Sequence, residues 1–447
     1  MSYFNVDSNR IVGTVKPMHA VNNGPLGSAA TGKWEYLKEA GIPYARLHDT
    51  GGPYGGHVFV DIANVFRNFD ADASNPDNYD FAFTDWLLNT LVENGTEPFY
   101  RLGSTIENSH WIKPYNIFPP KDNMQWAKIC EGIIRHYTEG WGNGFYHKIT
   151  YWEIWNEPDN MPDIKDNPMW KGTKEQFFEL YRVAANYLKE KFPHLKIGGY
   201  GCCGFYKITQ ELTAPEANVS PRNEYFIEFF HAFMKYITDE KTKAPLDFFS
   251  WHAYSGVAGN IISSNYVREQ LDKYGLKDTE HMCNEWNTGV KLYRSKLRDA
   301  TNIAANMLAL HQTSIGMLMY YDWRLQTVYN GAINPVGYVP FKAFYSFKAF
   351  NELYRLGNEI SVETNENQIV DRVYCMAAKG EEGIAVMFAN YSNEDREITL
   401  TIDGNKDLNA QVFIVDEDKT YEDIGVITGG KIILKKDAVA LVKLCDK

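Results

Sequence analysis

The sequence predicts an α/β protein in which a (β/α)8 TIM barrel is followed by a smaller antiparallel β-sandwich. From about residue 11 to 355, short apolar runs alternate eight times with longer segments of helical periodicity, which is typical of a parallel sheet closed into a barrel. After about residue 358 the apolar residues recur with period two between turn signals, which is typical of a sandwich. The 447 residues accommodate a barrel of about 250 residues or more and a second domain of about 90 residues.

The eight predicted barrel strands are short runs rich in apolar, β-branched and aromatic residues. They lie at 11–15, 43–48, 97–102, 149–155, 195–200, 247–252, 280–284 and 316–322. The segments between and after these strands repeat apolar residues at helical spacing. The predicted helices lie at 33–40, 80–94, 122–138, 173–192, 223–239, 266–275, 297–311 and 341–355. An open, doubly wound sheet is the alternative, but no glycine-rich phosphate loop follows the first predicted strand, which disfavours it.

Local signals set the ends of two predicted helices. Thr173 precedes KEQFF and is expected to cap a helix there, and Pro193 ends that helix because proline has no backbone N–H. Thr84 is the expected cap of a helix that begins at Asp85, whose charge suits a helix N-terminus. Gly95 is expected to follow the end of that helix.

The chain is predicted to divide into a catalytic barrel at 11–355 and a β-sandwich accessory domain at 356–447. In REITLTID the apolar and threonine side chains alternate between two faces, as expected for a strand with one buried face. Residues 1–10 contain the run YFNV, and this run is expected to add a strand to the sandwich.

Aromatic residues of the second domain are candidates for sugar contacts, because aromatic faces suit the apolar C–H faces of sugar rings. The candidates are Tyr374, Phe388, Tyr391, Phe413 and Tyr421. We expect most of them to serve packing within the sandwich and against the barrel instead. The second domain is therefore expected to be a structural cap.

Net charge excludes some classes of partner. The chain has 45 basic and 57 acidic residues and a net charge of −12, whereas nucleic acids and anionic membranes favour basic surfaces. No run of about 18 apolar residues occurs, so no membrane-spanning helix is expected. The N-terminal MSYFNVDSNR lacks the pattern of a signal peptide. We therefore expect a cytoplasmic protein with no nucleic-acid or membrane partner, and the sequence leaves open whether it forms a homo-oligomer.

The cysteine and histidine pattern gives no support for a metal or another cofactor. The six cysteines are scattered without a CxxC pair, so reduced thiols are expected rather than a disulfide framework. No HExxH motif and no His-rich tract occurs. We expect no cofactor and no metal site.

Two glutamates follow apolar strands at places where a barrel carries its active site. The fourth predicted strand ends in WEIWNEP, which contains Glu157, and the seventh ends in HMCNEWN, which contains Glu285. Strands four and seven face each other across the mouth of such a barrel. Glycoside hydrolysis needs two carboxyl groups, one that protonates the leaving oxygen and one that acts at the anomeric carbon. For a single glutamate a structural salt bridge is the better interpretation, but the two motifs together favour catalysis.

The same motifs resemble the retaining glycosidases of clan A, and within that clan they resemble glycoside hydrolase family 39, known for β-xylosidases and α-L-iduronidases. The likeness extends from RLHD at 46–49 through EIWNEPDN and the following FFELYRVAANYLKEKFPHLKIGGYG to DFFSWHAYSG at 247–256 and CNEWNTG. It implies that Glu157 is the acid/base and Glu285 the nucleophile. YYDWRLQ and the loop at 51–59 differ from the xylosidases of the family, so the sugar is not carried over from the resemblance.

Polar residues near the two glutamates are expected to bind the substrate or to position the glutamates. Asn156 is expected to hydrogen-bond the sugar 2-hydroxyl, and Arg46 is expected to hold the nucleophile ionised. Tyr254 is expected to orient Glu285. The alternative for each is a buried polar residue satisfied by its neighbours. The complete set of predicted substrate-binding residues is Arg46, His48, Asp49, Asn156, His252, Tyr254 and Trp323.

Four tryptophans are candidates for the walls of the sugar pocket, although core packing is an equal alternative for each. They are Trp111, Trp251, Trp286 and Trp323, and Trp323 is the preferred floor of the pocket. Glu153 precedes Glu157 by four residues and is expected to have a structural role behind the site.

The sequence thus predicts a retaining, exo-acting, β-xylosidase-like enzyme that hydrolyses plant-type oligosaccharides or aryl and alkyl glycosides. Arabinopyranose, galactose, glucose and iduronic acid remain alternative sugars for the same chemistry. A carbohydrate-binding barrel without catalysis is an alternative of another class, which the presence of both glutamates disfavours. A metal-dependent hydrolase would need a His-x-His at a strand end, and none occurs.

Overall fold

A computed structural model describes residues 2–26, 32–50, 60–106, 116–289, 293–325, 327–425 and 429–444. Its strands, in chain order, are β1 (Ser2–Thr14), β2 (Ala20–Asn22), β3 (Tyr44–Leu47), β4 (Glu97–Leu102), β5 (Tyr151–Ile154), β6 (Lys196–Cys202), β7 (Phe248–Ala253), β8 (Glu280–Trp286), β9 (Met317–Tyr320), β10 (Asn358–Thr364), β11 (Val373–Gly380), β12 (Gly383–Asn390), β13 (Arg396–Ile402), β14 (Ala410–Val415), β15 (Thr420–Asp423), β16 (Lys431–Leu434) and β17 (Val439–Leu444). Its helices are α1 (Glu35–Glu39), α2 (Ile62–Val65), α3 (Ala82–Glu93), α4 (Asn123–Glu139), α5 (Lys174–Lys191), α6 (Tyr206–Thr213), α7 (Pro221–Thr238), α8 (Val257–Lys273), α9 (Leu297–His311), α10 (Lys342–Leu356) and α11 (Gln368–Asp371), with a 3₁₀ turn at Pro76–Asn78.

Strands β2 to β9 form a closed parallel barrel, and β9 pairs with β2 to complete it. The predicted fold class is confirmed. The prediction of a first barrel strand at 11–15 is wrong, because residues up to Thr14 belong to β1 in the second sheet. Ile11 and Val12 are 60% and 51% exposed, so their apolar character does not mark a buried barrel strand.

Helix capping follows the sequence signals in one place and departs from them in another. The Thr173 side chain accepts a hydrogen bond from the Gln176 N–H, and the Gln176 side chain accepts one from the Thr173 N–H, which is a capping box. The prediction that Thr84 caps a helix is wrong, because α3 begins at Ala82 and Thr84 is buried within it. Gly95 has a φ of +80° just after the end of α3, as predicted for a helix terminus.

The second domain is one nine-stranded sheet in the order β15-β14-β17-β12-β11-β10-β1-β13-β16, antiparallel except for the β1–β13 pair. Strands β1 and β12 are three positions apart in this ladder, about 14 Å in a flat sheet. Yet the rings of Phe4 and Phe388 lie 5.2 Å apart. The sheet therefore curls over its own apolar core, which gives the sandwich.

The opposite face of the second sheet packs against barrel helices α9 and α10. Tyr374 lies buried in the core shared with the barrel, and Tyr421 stacks on Tyr345 of α10 with ring centroids 5.7 Å apart. The Arg298 guanidinium of α9 lies 3.8 Å from the centroid of the Tyr391 ring. Phe388 faces the inner sandwich core, and Phe413 stacks on Tyr421. All five aromatic candidates for sugar contacts thus serve packing.

Within the ranges that the structure describes, no helix is long and apolar enough to cross a membrane. Five cysteines fall in these ranges, and each is buried with a free thiol. They are Cys130, Cys202, Cys203, Cys283 and Cys375; Cys445 lies outside the described residues.

Candidate active site

The acid/base candidate, Glu157, follows β5 in a sharply turned segment. Trp155 and Glu157 have φ angles of +74° and +46°, a region that bulky side chains adopt only where the surroundings impose it. The Trp155 N–H donates to the Leu102 carbonyl at 2.7 Å, and the Glu157 N–H donates to the Gly201 carbonyl at 3.0 Å. Neighbouring strands thereby hold the turn that aims Glu157 across the barrel mouth.

Glu157 and Glu285 meet at this mouth, on either side of His252. The His252 Nδ1 atom lies 2.7 Å from Glu157 Oε1 and 3.3 Å from Glu285 Oε2. One oxygen of each carboxyl group and a His252 nitrogen all lie within 4.8 Å of one another. The two glutamate side chains are only 13% and 8% exposed, so the pair is sheltered from bulk water while open to one cavity.

Each glutamate has further hydrogen-bond donors. The Tyr254 hydroxyl donates to Glu285 Oε2 at 2.9 Å, and Arg46 Nη1 donates to Glu285 Oε1 at 3.2 Å. The Asn160 Nδ2 group donates to Glu157 Oε2 at 2.6 Å. Glu285 thus carries a full cation on one oxygen, whereas Glu157 has an amide and an imidazole.

Arg46 lies at the centre of a buried network beneath the pair. Its Nε donates to Glu153 Oε2 at 2.7 Å, and its Nη2 donates to Asn156 Oδ1 at 2.5 Å. Ser250 and Asn284 each donate to Glu153 Oε1 at 2.6 Å. Glu153 therefore holds Arg46 in place on the side away from the cavity, as expected for a structural role. The side-chain amide oxygen of Asn156 points toward Arg46.

The protonation of the pair is set by burial and by mutual charge. Burial raises the pKa of Glu285 to about 7, with a further contribution from the charge of Glu157 and opposition from His252 and Arg46. Burial also acts to raise the pKa of Glu157, but the hydrogen bond and charge of His252 outweigh it and lower that pKa. Burial acts to lower the pKa of His252, and the two carboxylates outweigh it and raise that pKa. The three groups therefore share their protons and titrate as one unit.

A cavity of about 490 Å³ opens onto the pair, a size that suits a small ligand. Its β3 and β9 side includes His48, Asp49 and Tyr321, and its α6 and α7 side includes Tyr206 and Arg222. The His48 Nε2 atom lies 3.2 Å from Asp49 Oδ1, and the Tyr321 hydroxyl donates to Asp49 Oδ2. Burial lowers the pKa of His48 well below its ordinary value, which keeps this imidazole neutral.

Three of the four tryptophans proposed for the pocket walls are buried in the core instead. Trp323 is buried against Phe344 and Phe347 of α10, with ring centroids 5.9 and 5.3 Å away. Trp251 and Trp286 are buried in the same core. Trp111 and the loop at 51–59 lie outside the described residues. Tyr321, two residues before Trp323, lines the cavity instead.

A family comparison decides the classification of this arrangement. The model of glycosyl hydrolases family 39 matches residues 10–310, which include both glutamates and Arg46. The chain belongs to this family.

Relatives of the family 39 chain include two β-xylosidases. The one from Geobacillus stearothermophilus is 24% identical over 287 residues, which cover 61% of this chain and 49% of that enzyme. The one from Caldicellulosiruptor saccharolyticus is 24% identical over 391 residues, which cover 79% of this chain and 70% of that enzyme. The chain therefore matches about half the length of the first relative and more than two thirds of the second.

Solved structures share the whole architecture of the family 39 chain. A glucosidase from Croceicoccus marinus superimposes with a TM-score of 0.79 at 19% identity, covering 100% of this chain and 99% of that one. A monomeric β-xylosidase from Caulobacter crescentus gives a TM-score of 0.68 at 15% identity, covering 99% of both chains. At these identities the likeness shows the fold alone.

The trio Glu157, His252 and Glu285 also has the spacing of a metal site. All four carboxylate oxygens already accept hydrogen bonds from protein groups. The Arg46 guanidinium beside Glu285 opposes a second cation there. The contacts therefore suit a pair of catalytic carboxyl groups better than a set of metal ligands.

Ten residues that line the cavity are not among those predicted from the sequence. They are Ile106, Asn160, Cys203, Tyr206, Arg222, Asn223, Phe226, Tyr321, Val328 and Tyr329. Asn160 has a local signal, because it lies three residues after Glu157 in the same turn. Arg222 has none, because it reaches the cavity from the first turn of α7, far along the chain from either glutamate.

Asp159 is a buried carboxyl group beside the acid/base candidate. It accepts hydrogen bonds from the Cys203 N–H at 3.2 Å and from Cys202 Sγ at 3.3 Å. Burial, and then the charge of Glu157, raises the pKa of Asp159 from 3.8 to about 7. Between these pH values the folded state binds more protons than the unfolded state, so this group makes stability fall as pH rises through that window.

Asp159→Asn is therefore expected to stabilise the protein most at neutral and alkaline pH. The amide keeps an acceptor oxygen for the Cys203 N–H and removes the buried charge. We expect the variant's gain in free energy of unfolding to grow by about 2–3 kcal/mol between pH 5 and pH 7. Urea unfolding of both proteins at each pH measures this, and a gain that does not change with pH would contradict it.

Proposed function

We propose that this family 39 chain is a retaining glycosidase that acts on short plant-type oligosaccharides from the non-reducing end. The main support is the short distance between the two carboxyl groups. One oxygen of Glu157 and one oxygen of Glu285 lie within 4.8 Å of each other. Retaining enzymes hold their carboxyl groups about 5–5.5 Å apart, whereas inverting enzymes need about 6.5–9.5 Å to admit a water between them. The spacing therefore favours direct attack on the sugar by one carboxylate.

Glu285 is the proposed nucleophile, and Glu157 is the proposed acid/base. The nucleophile must be ionised, and Glu285 has both the Arg46 cation and the Tyr254 hydroxyl on its oxygens. The acid must receive and release a proton, and Glu157 lies 2.7 Å from the His252 nitrogen. In the free site the proton distribution is the reverse, because the pKa of Glu285 is raised and that of Glu157 is lowered. The proposed roles therefore require that the bound sugar shift the shared proton from His252 onto Glu157, while Arg46 and Tyr254 stabilise the anionic Glu285.

The reaction then proceeds in two displacements. In the first, a Glu285 oxygen bonds to the anomeric carbon, the glycosidic C–O bond breaks, and the leaving oxygen takes the proton of Glu157. In the second, water gives a proton to Glu157 and attacks the anomeric carbon, and the ester bond to Glu285 breaks. Esterification removes the charge of Glu285, which lets the pKa of Glu157 fall for its role as base.

The proposed sugar at the cleaved position is xylose. Two relatives at 24% identity bear the name β-xylosidase, and the His48, Asp49 and Tyr321 wall supplies polar groups for ring hydroxyls. Arabinopyranose, galactose, glucose and iduronic acid remain alternatives that differ from xylose by a ring substituent or a stereocentre. A panel of 4-nitrophenyl glycosides separates them, since only the accepted sugar releases nitrophenol.

A 2-deoxy-2-fluoro glycoside with a dinitrophenyl leaving group tests the mechanism. We expect it to inactivate the enzyme in a stoichiometric burst and to leave the fluoro sugar on the peptide that contains Glu285. Glu285→Gln provides the control, because it should remain unlabelled under the same conditions. A label on another residue, or an NMR spectrum showing first-formed product of inverted configuration, would contradict the proposal.

A further inference from the structure

Arg222 lies at the rim of the cavity in a fixed orientation. Its Nε–H donates to the Asn160 carbonyl at 2.8 Å, and its Nη2 donates to Asn160 Oδ1 at 3.1 Å. Its guanidinium lies 5.3 Å from the centroid of the Phe226 ring. Two hydrogen bonds and one stacking contact therefore define the plane of a side chain that is otherwise flexible.

These contacts leave one edge of the guanidinium available. The bonds to Asn160 use the edge formed by Nε and Nη2, so the edge formed by Nη1 and the second Nη2 hydrogen is not used by them. Throughout the described ranges no carboxylate lies within ion-pair distance of Arg222, in contrast to Arg46, which contacts two. A guanidinium edge of this kind matches the two oxygens of a carboxylate.

The position of Arg222 next to Glu157 places Arg222 on the side of the cavity where the leaving sugar would bind. The Asn160 that holds Arg222 also donates to Glu157 Oε2, so a single residue joins the cation to the proposed acid. Because Glu157 delivers its proton to the leaving oxygen, groups around it face the leaving sugar. His48, Asp49 and Tyr321 reach the cavity from the ends of β3 and β9, which flank β2 across the barrel from β6, and this side is the one assigned to the cleaved sugar.

We propose that Arg222 binds the carboxylate of a uronic acid in the leaving-group position. The preferred substrates are then short acidic oligosaccharides in which a neutral sugar is attached to a uronic acid. Tyr206 supplies an aromatic surface on the same side of the cavity, which suits the C–H face of the same ring. This inference rests on the proposed glycosidase function.

The bound carboxylate also affects the acid. The charge of Arg222 is among the groups that lower the pKa of Glu157. A substrate carboxylate offsets that charge, so the bound complex favours the protonated acid that the first step requires. The benefit is therefore expected in kcat as well as in KM.

Two disaccharides with the same cleaved sugar test the inference, one with glucuronic acid in the leaving position and one with its uncharged amide. We expect wild-type kcat/KM to be about three- to tenfold higher for the acid, since Arg222 is exposed and water weakens its contact with a carboxylate. In Arg222→Met the ratio should fall close to one. In Arg222→Lys, which keeps the charge without the planar edge, it should lie between.

Lys207 provides a matched control cation. It follows the cavity-lining Tyr206 in α6, and its Nζ atom lies 3.9 Å from carboxylate oxygens of both Glu211 and Glu224. It is not among the cavity-lining residues. Lys207→Met should keep the wild-type ratio. Equal wild-type rates for acid and amide, or an unchanged ratio in Arg222→Met, would overturn the inference. Failure of the proposed function is distinct, because then neither disaccharide nor any nitrophenyl glycoside would be cleaved.

Discussion

Glu285→Ala is expected to lower kcat by at least ~10⁴-fold, which corresponds to about 5.4 kcal/mol of activation free energy. The substitution removes the only atom proposed to bond to the anomeric carbon, so no covalent intermediate can form. Binding of the sugar should persist, because the wall with His48, Asp49 and Tyr321 does not depend on that carboxylate. Steady-state kinetics on the accepted nitrophenyl glycoside, with inhibitor binding by calorimetry, measure both effects.

Chemical rescue makes this result specific to a nucleophile. The shortened side chain leaves room on the face of the sugar where Glu285 attacks, and azide at high concentration can occupy it. Azide attack there should restore turnover and give a glycosyl azide of inverted configuration, which NMR identifies. Rescue with retained configuration, or wild-type kcat in the variant, would contradict the assignment.

Glu280 provides a control on the same strand. It begins β8 at the other end of the barrel, where its carboxylate contacts Lys196 and the Tyr151 hydroxyl. Glu280→Gln removes a charge from the same strand and is expected to keep kcat within about twofold, as for a substitution remote from the reacting atoms. Thermal unfolding of both variants shows whether a lower kcat comes from the missing carboxylate or from a destabilised fold.

The sequence predicts the barrel well because its signals are local. Apolar strands and amphipathic helices alternate along the chain, and each candidate glutamate lies near the end of its strand. Glu285 is the next-to-last residue of β8, and Glu157 lies three residues after the end of β5. The first barrel strand escapes this reasoning, since Ala20–Asn22 has three residues and is too short for any periodicity. The longer apolar run at 11–15 is therefore predicted to be the first barrel strand instead.

The walls of the cavity are less predictable because they depend on backbone direction after each strand ends. Tyr321 and Trp323 are two residues apart beyond β9, yet one faces the cavity and the other faces α10. Aromatic content alone does not distinguish them. Arg222 depends on packing between α7 and the turn that contains Asn160, a contact for which the sequence has no pattern.

The buried hydrogen-bond network around Arg46 is predictable from the sequence in one part and not in another. Arg46 is predictable as a partner of the nucleophile, because a cation near a carboxylate keeps it ionised. The role of Asn156 as an acceptor for Arg46 follows only from the turn with positive φ at Trp155 and Glu157. Motif reasoning therefore identifies which residues gather at the site, while the strained turn decides what each of them contacts.

Glu157→Ala is expected to separate substrates according to their leaving groups. Loss of the acid should lower kcat/KM for oligosaccharides by about 10²–10⁴-fold, because their leaving alkoxide needs a proton. The first step with a dinitrophenyl glycoside should be nearly unaffected, since that leaving group departs as a stable anion. The second step should be slow with every substrate, because no base activates water, so the covalent intermediate should accumulate and give a burst of dinitrophenol.

Azide distinguishes this variant from the nucleophile variant. Here azide replaces water in the second step, attacks the intermediate from the face that Glu157 occupied, and gives a glycosyl azide of retained configuration. The two variants should thus yield opposite anomers from the same reagents. Rapid-quench measurement of the burst, together with NMR of the azide product, tests the pair of assignments at once. Equal loss of kcat/KM on oligosaccharide and dinitrophenyl substrates, without a burst, would contradict the acid/base role of Glu157 but not the nucleophile role of Glu285.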